Sequence, residues 1–471
     1  MPDFHSESLC HDPIHGYIPF VSDAGLPAGE VSEQEVIDQP WVQRLRQIHQ
    51  LQTAWYVFPS AEHTRFQHVL GAMHLASRAA EQLYPSLREA CTDVPSRAYV
   101  ESLLRLAALL HDVGHGPFGH FFDDHFLVHH GLNHEVLGSR IICDELGALV
   151  RGVRRNPRGQ LADSEQLDPR QIAYLITRPK PAAAQAETAE EAPRWLSHLR
   201  SLFSGIYTVD NMDFVLRDAY MTGYNNRAFD LDRLLHYSFF SEHGLTIHVR
   251  GLSALVRFIG VRGELFRSVY FHRTVRAIDL TLADLFAESR AYLFPGNPLS
   301  NLALYQQFTE WSLLVDVAKW HESSEPRRRE LGERWQRFLR RDMPWRMACE
   351  RTQFFAPHDA EHSSIVSKPE FFELALRDNL PSTLRDVPLR VDLARHVHRP
   401  GTRGPAAGQN FLYDPVREQT QRLTDSELFR QIPLSFRICR VYAQDPAHFP
   451  ALAAAMDSLF GPGVADDATN M

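Results

Sequence analysis

The stretch RAYVESLLRLAALLHDVGHGPFGHFFD at residues 97–123 decides the fold. Residues 97–112 are apolar on almost every side, which predicts a helix buried on all its faces. The helix must end near Gly114, because the GHGP that follows combines two glycines with a proline. His111 and Asp112 lie at this end, and ionisable side chains in an apolar helix cost several kcal/mol unless they are paired or bind a metal. The stretch therefore predicts a buried helix that delivers a His-Asp pair to one pocket.

Histidines are concentrated around this stretch. The chain has 25 histidines in 471 residues, and seven of them fall between residues 111 and 134. Clustered imidazoles suit metal binding and proton transfer near neutral pH. His68 on a predicted helix upstream and Asp210 at the start of one downstream form, with His111 and Asp112, a mixed nitrogen and oxygen set. Such a set suits Mn, Fe, Co, Ni or Zn with open positions for water.

Helical periodicity extends outward from the stretch in both directions. It marks residues 41–58, 63–84, 134–151, 206–222 and 229–290. The polar segment 152–168 and the low-complexity segment 178–193, rich in Pro, Ala and Glu, interrupt this pattern. We therefore expect a mobile insertion at about 152–195, because such residues have little to bury.

Beyond residue 295 the periodicity weakens, although residues 434–443 are typical of a strand. The sequence thus predicts a mainly α protein. A helical catalytic core would span residues 1–290, and a smaller α+β lobe would span 291–471 and serve regulation or oligomerisation.

Composition and charge exclude several classes of protein. Lys plus Arg is 49 and Asp plus Glu is 58, a net charge of −9, so the chain is a poor candidate for a general nucleic-acid coat. The five cysteines are scattered and free of CxxC spacing, which favours a reducing compartment. No apolar run approaches the ~18 residues of a transmembrane helix, and no secretory signal is visible. We expect a cytoplasmic protein.

The order His68, His111-Asp112, Asp210 resembles the H…HD…D signature of the HD-domain metal-dependent phosphohydrolases. Further stretches resemble the catalytic core of one subfamily, the deoxynucleoside triphosphate triphosphohydrolases: DPIHGYI (12–18), QRLRQIHQL (43–51), YVFPSAEHTRFQHVLG (56–71), HDVGHGPFGHFFD (111–123), NHEVLGS (133–139) and VDNMDFVLRDA (209–219). The similarity covers about residues 9–290 and is weaker near 420–445. It implies a hydrolase that cleaves dNTPs to a deoxynucleoside and triphosphate.

The resemblance assigns the metal ligands, and the residue types agree with it. His68, His111, Asp112 and Asp210 would bind one divalent transition metal, with manganese among the candidates. The metal would polarise a phosphoryl oxygen and lower the pKa of a water. We expect Mg²⁺ to accompany the nucleotide phosphates.

The resemblance also implies a catalytic cluster of His115, His120, Asp123 and His134. In this interpretation His120 protonates the departing 5′-oxygen, while His115 and His134 stabilise charge on the phosphate and Asp123 orients one of them. The competing explanation is that the His-rich segment only caps and packs a loop.

Substrate contacts follow from the same match. Arg65 and Arg262 fall where the family places arginines on the triphosphate, and a guanidinium fork fits phosphate oxygens. Gln50, Leu51 and Asp218 resemble the sugar pocket, and Tyr270 matches an aromatic residue that packs against sugar and base.

Three positions depart from the family pattern. Asn211 replaces a lysine that contacts the triphosphate, Phe214 replaces a tyrosine that holds sugar and phosphate, and Phe271 replaces a glutamine near the base. Loss of a charged donor weakens phosphate binding by ~1.5–3 kcal/mol. These departures bear on selectivity for triphosphates.

A regulatory nucleotide site between subunits is implied as well. Asp38, Gln43 and Arg46 match residues that hold a guanine nucleotide. The neighbouring deoxynucleotide site is matched by Val57, Phe58, Arg233 and Arg250, and Arg422 could reach a regulatory nucleotide. The resemblance therefore implies activation by GTP and dNTPs and a homo-oligomer, dimer or tetramer; ordinary surface residues are the competing explanation.

Two other functions remain open. An HD phosphodiesterase or phosphatase acting on another nucleotide would keep the metal and explain Asn211 and Phe214. A nucleotide-sensing or nucleic-acid-binding protein with a weak active site would use the local basic runs at 151–158 and 327–329. No membrane partner is expected.

Overall fold

A computed structural model of the chain describes residues 7–177, 192–355, 365–397, 410–423, 426 and 435–461. Most of the low-complexity segment 178–193 lies outside the described residues. The described helices are α1 (Glu33–Ile37), α2 (Pro40–Gln43), α3 (Arg65–Ala90), α4 (Arg97–Leu110), α5 (His120–His125), α6 (His134–Arg140), α7 (Gly147–Gly152), α8 (Pro169–Ile176), α9 (Arg194–Leu199), α10 (Val209–Met221), α11 (Leu231–His236), α12 (Leu252–Leu265), α13 (Arg273–Leu293), α14 (Leu302–Gln307), α15 (Glu310–Val317), α16 (Pro326–Leu339), α17 (Pro369–Asp378) and α18 (Phe449–Phe460).

The described strands form small sheets. They are β1 (Glu7–Asp12), β2 (Gly16–Val21), β3 (Arg155–Asn156), β4 (Gly159–Gln160), β5 (Ser238–Ser241), β6 (Gly244–His248), β7 (Arg346–Phe355), β8 (Leu389–Val397), β9 (Asn410–Asp414), β10 (Gln419–Arg422) and β11 (Ser435–Ala443). β1 pairs with β2 and β3 with β4, while the larger sheets have the orders β10-β9-β6-β5 and β7-β11-β8. All neighbours are antiparallel except β6 and β9, which are parallel. The prediction of a mainly α protein with a smaller α+β lobe is confirmed.

Helices α3 and α4 pack together at the centre of the large core. Every residue of α4 except Arg97 is buried, as its pattern predicted. The polar residues among them have partners: Arg105 donates to both carboxylate oxygens of Glu33 at 2.5 and 2.7 Å, and Glu101 accepts from Ser77. α4 ends at Leu110, close to the predicted point, so that the His-Asp pair follows directly.

Beyond residue 291, residues 349–456 form a second core, whereas α14, α15 and α16 pack into the large core. β11 is buried along its whole length between β7 and β8, and the apolar faces of α17 and α18 pack on this sheet. β11 confirms the strand predicted from residues 434–443. The sequence patterns of β7 and β8 are weaker strand signals, because these strands are apolar on one face only, whereas the central strand β11 is apolar on both faces.

Two helical predictions need correction. Residues 41–58 form only α2 and two 3₁₀ turns, because His49 pairs with Thr64 in a β-bridge and Gln52 takes a φ of +52°. Residues 229–290 are interrupted by the β5–β6 hairpin, whose residues alternate between buried and half-buried along β5. Periodicity over a long window concealed a short stretch with a period of two.

The described part of the expected insertion is folded. It holds the end of α7, the β3–β4 hairpin and α8, and α8 packs against α4. In the described chain, none of the helices has the length and apolar character that crossing a membrane requires.

Candidate functional site

Of the four side chains predicted to bind metal, His68, His111 and Asp112 have ligand atoms within 4.8 Å of one another, and Asp210 contacts both histidines. His68 comes from α3, His111 caps α4, Asp112 follows it, and Asp210 lies in the first turn of α10. His111 Nε2 lies 3.3 Å from an oxygen of Asp112 and 3.8 Å from one of Asp210. His68 Nε2 lies 3.1 Å from the same oxygen of Asp210. Residues from three helices thus converge although they span more than a hundred positions of sequence.

The donor set fits a divalent cation. His111 Nδ1 donates to the carbonyl of Ala108 at 2.7 Å, so Nε2 carries the lone pair. That buried nitrogen has no hydrogen-bond partner among the described residues and faces the carboxylates of Asp112 and Asp210. A lone pair aimed at two carboxylates is repulsive unless a cation lies between them.

His68 is oriented by a carboxylate behind it. Its Nδ1 donates to Asp213 at 2.8 Å, so that Nε2 faces Asp210. Burial lowers the pKa of His68, but its hydrogen bonds to Asp210 and Asp213 outweigh this and raise it to about 10. The negative potential of Asp210 and Asp213, which stabilises a proton on the His68 ring, also favours a metal ion at His68 Nε2. The sequence analysis missed Asp213, although it lies within the quoted VDNMDFVLRDA.

The predicted catalytic cluster is assembled beside the metal ligands. The rings of His115 and His134 stack at 3.8 Å, and the ring of His120 stands edge-on to both at 4.8 and 5.0 Å. Asp123 accepts hydrogen bonds from the Nδ1 and the backbone N–H of His134. One donor atom of each of these four residues lies within 4.8 Å of the others.

Charge in this cluster is fixed by its surroundings. Burial and the neighbouring Arg65 lower the pKa of His115 well below its usual value, which keeps the imidazole neutral. Burial raises the pKa of Asp123, but hydrogen bonds from His120 and His134 lower it much more, so the carboxylate stays ionised. The arrangement can hold and pass protons next to the cation site.

Arg65 reaches the site through a gap left by a glycine. It is buried and its Nη1 donates to Asp112 at 2.8 Å. Gly119 has a φ of +57°, and a Cβ there would lie 2.1 Å from Arg65 Nη2. The second glycine of HGPFGH is therefore needed both for its backbone conformation and for the approach of this guanidinium.

A cavity of about 450 Å³ opens in front of these residues. Of the predicted site residues, it is lined by Gln50, Leu51, Arg65, His68, His111, Asp112, His120, His134, Asp210, Asp218 and Tyr270. Three others are not among its described lining residues: His115, Asp123 and Arg262. Arg262 instead lies over the ring of Phe266, 5.9 Å from its centroid.

The predicted sugar pocket contains a pre-positioned carboxylate. Asp218 accepts from His63 Nε2 at 2.8 Å and from the Tyr270 hydroxyl at 2.5 Å. Burial and this carboxylate raise the pKa of Tyr270 well above its usual value. Phe214 and Phe271, which depart from the family pattern, also line the cavity and make this wall aromatic. His63 was not predicted, although it lies in a stretch that carries the resemblance.

The far end of the cavity is closed by the C-terminal lobe. Arg395 of β8 lines it together with Arg276 and Asp279 of α13. Arg276 donates to Asp392 of β8 at 2.6 Å and to Asp279 at 3.2 Å. This contact was not predicted, because Arg276 and Asp392 lie far apart in the chain and belong to different elements.

Buried polar residues hold the His-rich loop between α4 and α5 in place. The guanidinium of Arg44 donates to five carbonyls, those of Val113, His115, Tyr305, Gln306 and Phe308. The buried Glu310 accepts from the backbone N–H of Phe118 at 3.3 Å and from His49 Nδ1 at 2.7 Å. These supports join α14 and α15 to the His-rich loop, and none of them was predicted.

The residues implied as regulatory form two exposed groups. Gln43 links Asp38 and Arg46, with contacts of 3.5 and 2.8 Å. Arg233 donates twice to the carbonyl of Arg250, at 3.1 and 2.8 Å. Val57 is buried and Phe58 contacts the ring of His272, 5.6 Å away between centroids; Arg422 is exposed on β10.

Comparison with known proteins agrees with this site. Residues 65–181 match the family model described as "HD domain", and that segment includes His68, His111 and Asp112. The segment 65–181 is therefore similar to HD domains and holds three of the four predicted metal ligands.

Among individual relatives, the uncharacterized protein YwfO of Bacillus subtilis is 29% identical over 324 residues, 67% of this chain and 64% of that protein. The deoxynucleoside triphosphate triphosphohydrolase SAMHD1 of cattle is 29% identical over 304 residues, 60% of this chain and 47% of that protein. The human protein of the same name is 29% identical over 306 residues, with 60% and 45% covered. The chain thus spans less than two thirds of the length of these curated relatives.

A hypothetical protein from Aquifex aeolicus shares the fold in its crystal structure. The TM-score is 0.66 at 22% identity, and the match covers 96% of this chain and 100% of that one. The similarity includes the C-terminal lobe, which the family model does not cover.

Proposed function

We propose that this protein is a metal-dependent dNTP triphosphohydrolase that releases a deoxynucleoside and inorganic triphosphate. The observation that carries the proposal is that one cavity joins the cation site to the Asp218–Tyr270 pair. A nucleotide that binds both ends brings its α-phosphate to the cation and its sugar to the carboxylate. The similarity to proteins named deoxynucleoside triphosphate triphosphohydrolase supports the same substrate.

The phosphate end of the cavity suits a polyanion. A metal held by His68, His111, Asp112 and Asp210 supplies a Lewis acid for a phosphoryl oxygen and a nucleophilic water at neutral pH. Arg65 keeps its buried Nε without a hydrogen-bond partner among the described residues while Nη1 is held by Asp112. This guanidinium is therefore fixed in place with donor capacity left for a phosphate oxygen.

Proton transfer falls to the histidine cluster. His120 is the most exposed of its members, and its Nδ1 lies 3.6 Å from Asp123. We assign it the proton that the departing 5′-oxygen takes up as the bond to the α-phosphorus breaks. His134, held by Asp123, stabilises charge on the phosphate, and the buried, neutral His115 acts through its stacking on the His134 ring.

The sugar end suits a deoxyribose. A carboxylate has about four lone-pair positions, and the two hydrogen bonds that Asp218 accepts leave room for a sugar hydroxyl. The rings of Phe214 and Tyr270, 6.5 Å apart, form an apolar wall beside it. Such a wall favours a sugar carbon without a hydroxyl over one that carries it.

We also propose that nucleotides activate the protein by driving its assembly into a dimer or tetramer. The exposed chain of Asp38, Gln43 and Arg46 offers an acceptor and two donors, the combination that a guanine nucleotide requires. Size-exclusion chromatography with and without GTP and dATP tests this part. An unchanged elution volume at saturating nucleotide would refute it.

Product analysis tests the enzyme assignment directly. The protein is incubated with Mn²⁺ and dGTP or dATP, and the products are identified by ³¹P NMR and chromatography. Intact triphosphate and deoxynucleoside are expected, and His111→Ala and Asp112→Ala should abolish both. Formation of pyrophosphate with dNMP, or of phosphate with dNDP, contradicts the proposal because it requires cleavage at another bond.

A second candidate is an HD phosphodiesterase or phosphatase on another nucleotide. The observation that favours it is Phe214, which lines the cavity where the family pattern has a tyrosine hydroxyl. Turnover of cyclic nucleotides, alarmones or monophosphates, without turnover of dNTPs, would select it. The basic run at 151–158 gives little support to nucleic-acid binding, because Arg155 pairs with Glu30 and Arg158 with Glu81.

A further inference from the structure

The turn of the N-terminal hairpin reaches the back of the cation site. It lies between β1 and β2, where Asp12 accepts hydrogen bonds from the backbone N–H groups of Ile14 and His15, both at 2.9 Å. These bonds fix the turn and direct the side chain of His15 inward, where only 2% of it remains exposed. An imidazole on a surface hairpin is thus delivered into the core.

His15 ends on the carboxylate that orients a predicted metal ligand. Its Nε2 donates to one oxygen of Asp213 at 2.7 Å, and His68 Nδ1 donates to the other at 2.8 Å. Arg217 donates to both oxygens at 2.9 Å, and its Nη1 reaches back to Asp12 at 2.7 Å. A closed, buried ring of hydrogen bonds therefore joins Asp12, His15, Asp213 and Arg217, and Asp213 connects this ring to His68.

Helix α3 has a glycine at the point where this ring of hydrogen bonds approaches it. Gly71 lies one turn after His68, and a Cβ at that position would lie 2.0 Å from an oxygen of Asp213 and 2.3 Å from Arg217 Nη2. Any other residue there would displace the carboxylate that receives the His68 proton. The close approach matters because a carboxylate behind a ligating histidine fixes its tautomer and ring orientation.

We propose that Asp12 and His15 are positioning residues for His68, so that docking of the hairpin turn and metal binding stabilise each other. Without His15, Asp213 loses one of the donors that hold its plane, and His68 loses its fixed orientation. Because coupling between two sites is reciprocal, a metal at His68 must in turn hold the hairpin more firmly. The proposal rests on the part of the proposed function that assigns a metal to His68, and is independent of the substrate.

Metal affinity tests the positioning role. Mn²⁺ binding is measured by titration calorimetry, and the visible spectrum of the Co²⁺-loaded protein reports the coordination. His15→Ala should weaken binding about 10- to 100-fold and alter the Co²⁺ bands. His15→Gln, whose amide can donate from nearly the same place as Nε2, should restore most of the affinity.

The hairpin supplies a matched control. His11 is exposed and packs edge-on against Tyr17 at 4.5 Å on the same hairpin, so His11→Ala should leave Mn²⁺ affinity unchanged.

Hydrogen exchange tests reciprocity: Mn²⁺ should slow exchange over residues 7–21 in the natural protein and have no such effect in His15→Ala. If His15→Ala fails to fold, Asp12→Asn, which keeps an oxygen for the turn but removes the charge facing Arg217, should weaken Mn²⁺ binding several-fold.

Two results would overturn the coupling: unchanged Mn²⁺ affinity in folded His15→Ala, or equal hairpin exchange with and without Mn²⁺. A natural protein that binds no Mn²⁺ would overturn it together with the proposed function. Tight Mn²⁺ binding without dNTP cleavage would refute only the proposed function, provided that His15→Ala still weakens the binding.

Discussion

The two ends of the cavity are both built from buried charges, but in the described part of the chain they differ in how their carboxylates are paired. At the metal end, four carboxylates share two guanidiniums, those of Arg65 and Arg217, and hydrogen bonds from the imidazoles of His15 and His68; the carboxylates are those of Asp12, Asp112, Asp210 and Asp213. His111 Nε2 adds a lone pair with no hydrogen-bond partner among the described residues.

At the lobe end, each carboxylate has a donor. Asp392 and Asp279 share Arg276, and Asp279 also accepts from Thr53 at 2.5 Å. The lobe end is therefore a structural ion pair between α13 and β8, whereas the side chains of the metal end fit a cation. Charge that is left over, rather than burial, distinguishes a binding site from a structural ion pair.

Removal of a ligand at the metal end should give the largest effect on activity. In His111→Ala the loss of roughly 4 kcal/mol of transition-state stabilisation corresponds to a fall of about a thousand-fold in kcat/KM. The free energy of unfolding measured with a chelator should fall by only about 1 kcal/mol, because Nε2 has no hydrogen-bond partner among the described residues and the variant loses only the Nδ1 bond to the Ala108 carbonyl. A large loss of stability in the chelated protein would mean that the metal end is structural, and the contrast between the two ends would disappear.

Removal of a partner at the lobe end should have the opposite signature. Arg276→Ala leaves Asp392 buried without its main donor, which should lower the free energy of unfolding by about 3 kcal/mol. Urea denaturation measures this change, and Mn²⁺ affinity should stay unaltered. Replacing both partners, Arg276→Met with Asp392→Leu, should recover part of the stability, because it removes the unpaired charge of Asp392 while Asp279 keeps its hydrogen bond from Thr53. A double variant as unstable as the single one would contradict the structural ion pair.

These two ends also differ in how much of them the sequence predicted. The HD ligands were predicted because residue types and helix ends suggest a mixed set of His68, His111, Asp112 and Asp210, and the resemblance assigns all four as metal ligands. Asp213 and His15 lie in stretches that were quoted, yet their role depends on hydrogen bonds that no spacing encodes. Arg276 and Asp392 gave no signal, because a pair formed between two lobes is defined only by the tertiary structure.

The elements of the fold that were predicted also differ from those that were missed. α3 and α4 were predicted from apolar patterns over many turns, and β11 from a run that is apolar on both faces. The β5–β6 hairpin was missed because strands this short carry too few residues to outweigh the helices around them. Local periodicity predicts long buried elements, whereas tertiary pairing decides the short ones.

Gly119 offers a finer comparison within the metal end. Gly119→Ala forces a Cβ against Arg65 and places alanine at a φ of +57° and a ψ of −121°, a backbone conformation that suits glycine. The value of kcat/KM should fall about 10- to 100-fold, since each 1.4 kcal/mol lost at the phosphate-binding guanidinium is a factor of ten. Gly131→Ala is the control for a positive φ without a clash, because Gly131 has a φ of +66°, a ψ of +24° and no heavy atom within 4 Å of the added Cβ. Equal losses of activity in both variants would show that the approach of Arg65 does not matter.

The smallest expected effect is on the pH dependence of stability. It arises from the His49–Glu310 hydrogen bond, which supports the His-rich loop. Burial lowers the pKa of His49, but its hydrogen bonds to Glu310 and Glu62 outweigh this and raise it above the usual 6.5. A raised pKa in the folded state means that the protonated pair stabilises the protein fully below about pH 6.5 and that this contribution is lost as pH rises through the folded-state value. His49→Gln should therefore lower the free energy of unfolding by about 1–2 kcal/mol at pH 6, and by clearly less at pH 9.5, in urea titrations at the two pH values. A difference that grows with pH would contradict the sign of the shift. Because Glu310 also accepts from the backbone of Phe118, this result would measure how far the lobe side of the molecule stiffens the loop that carries the metal end.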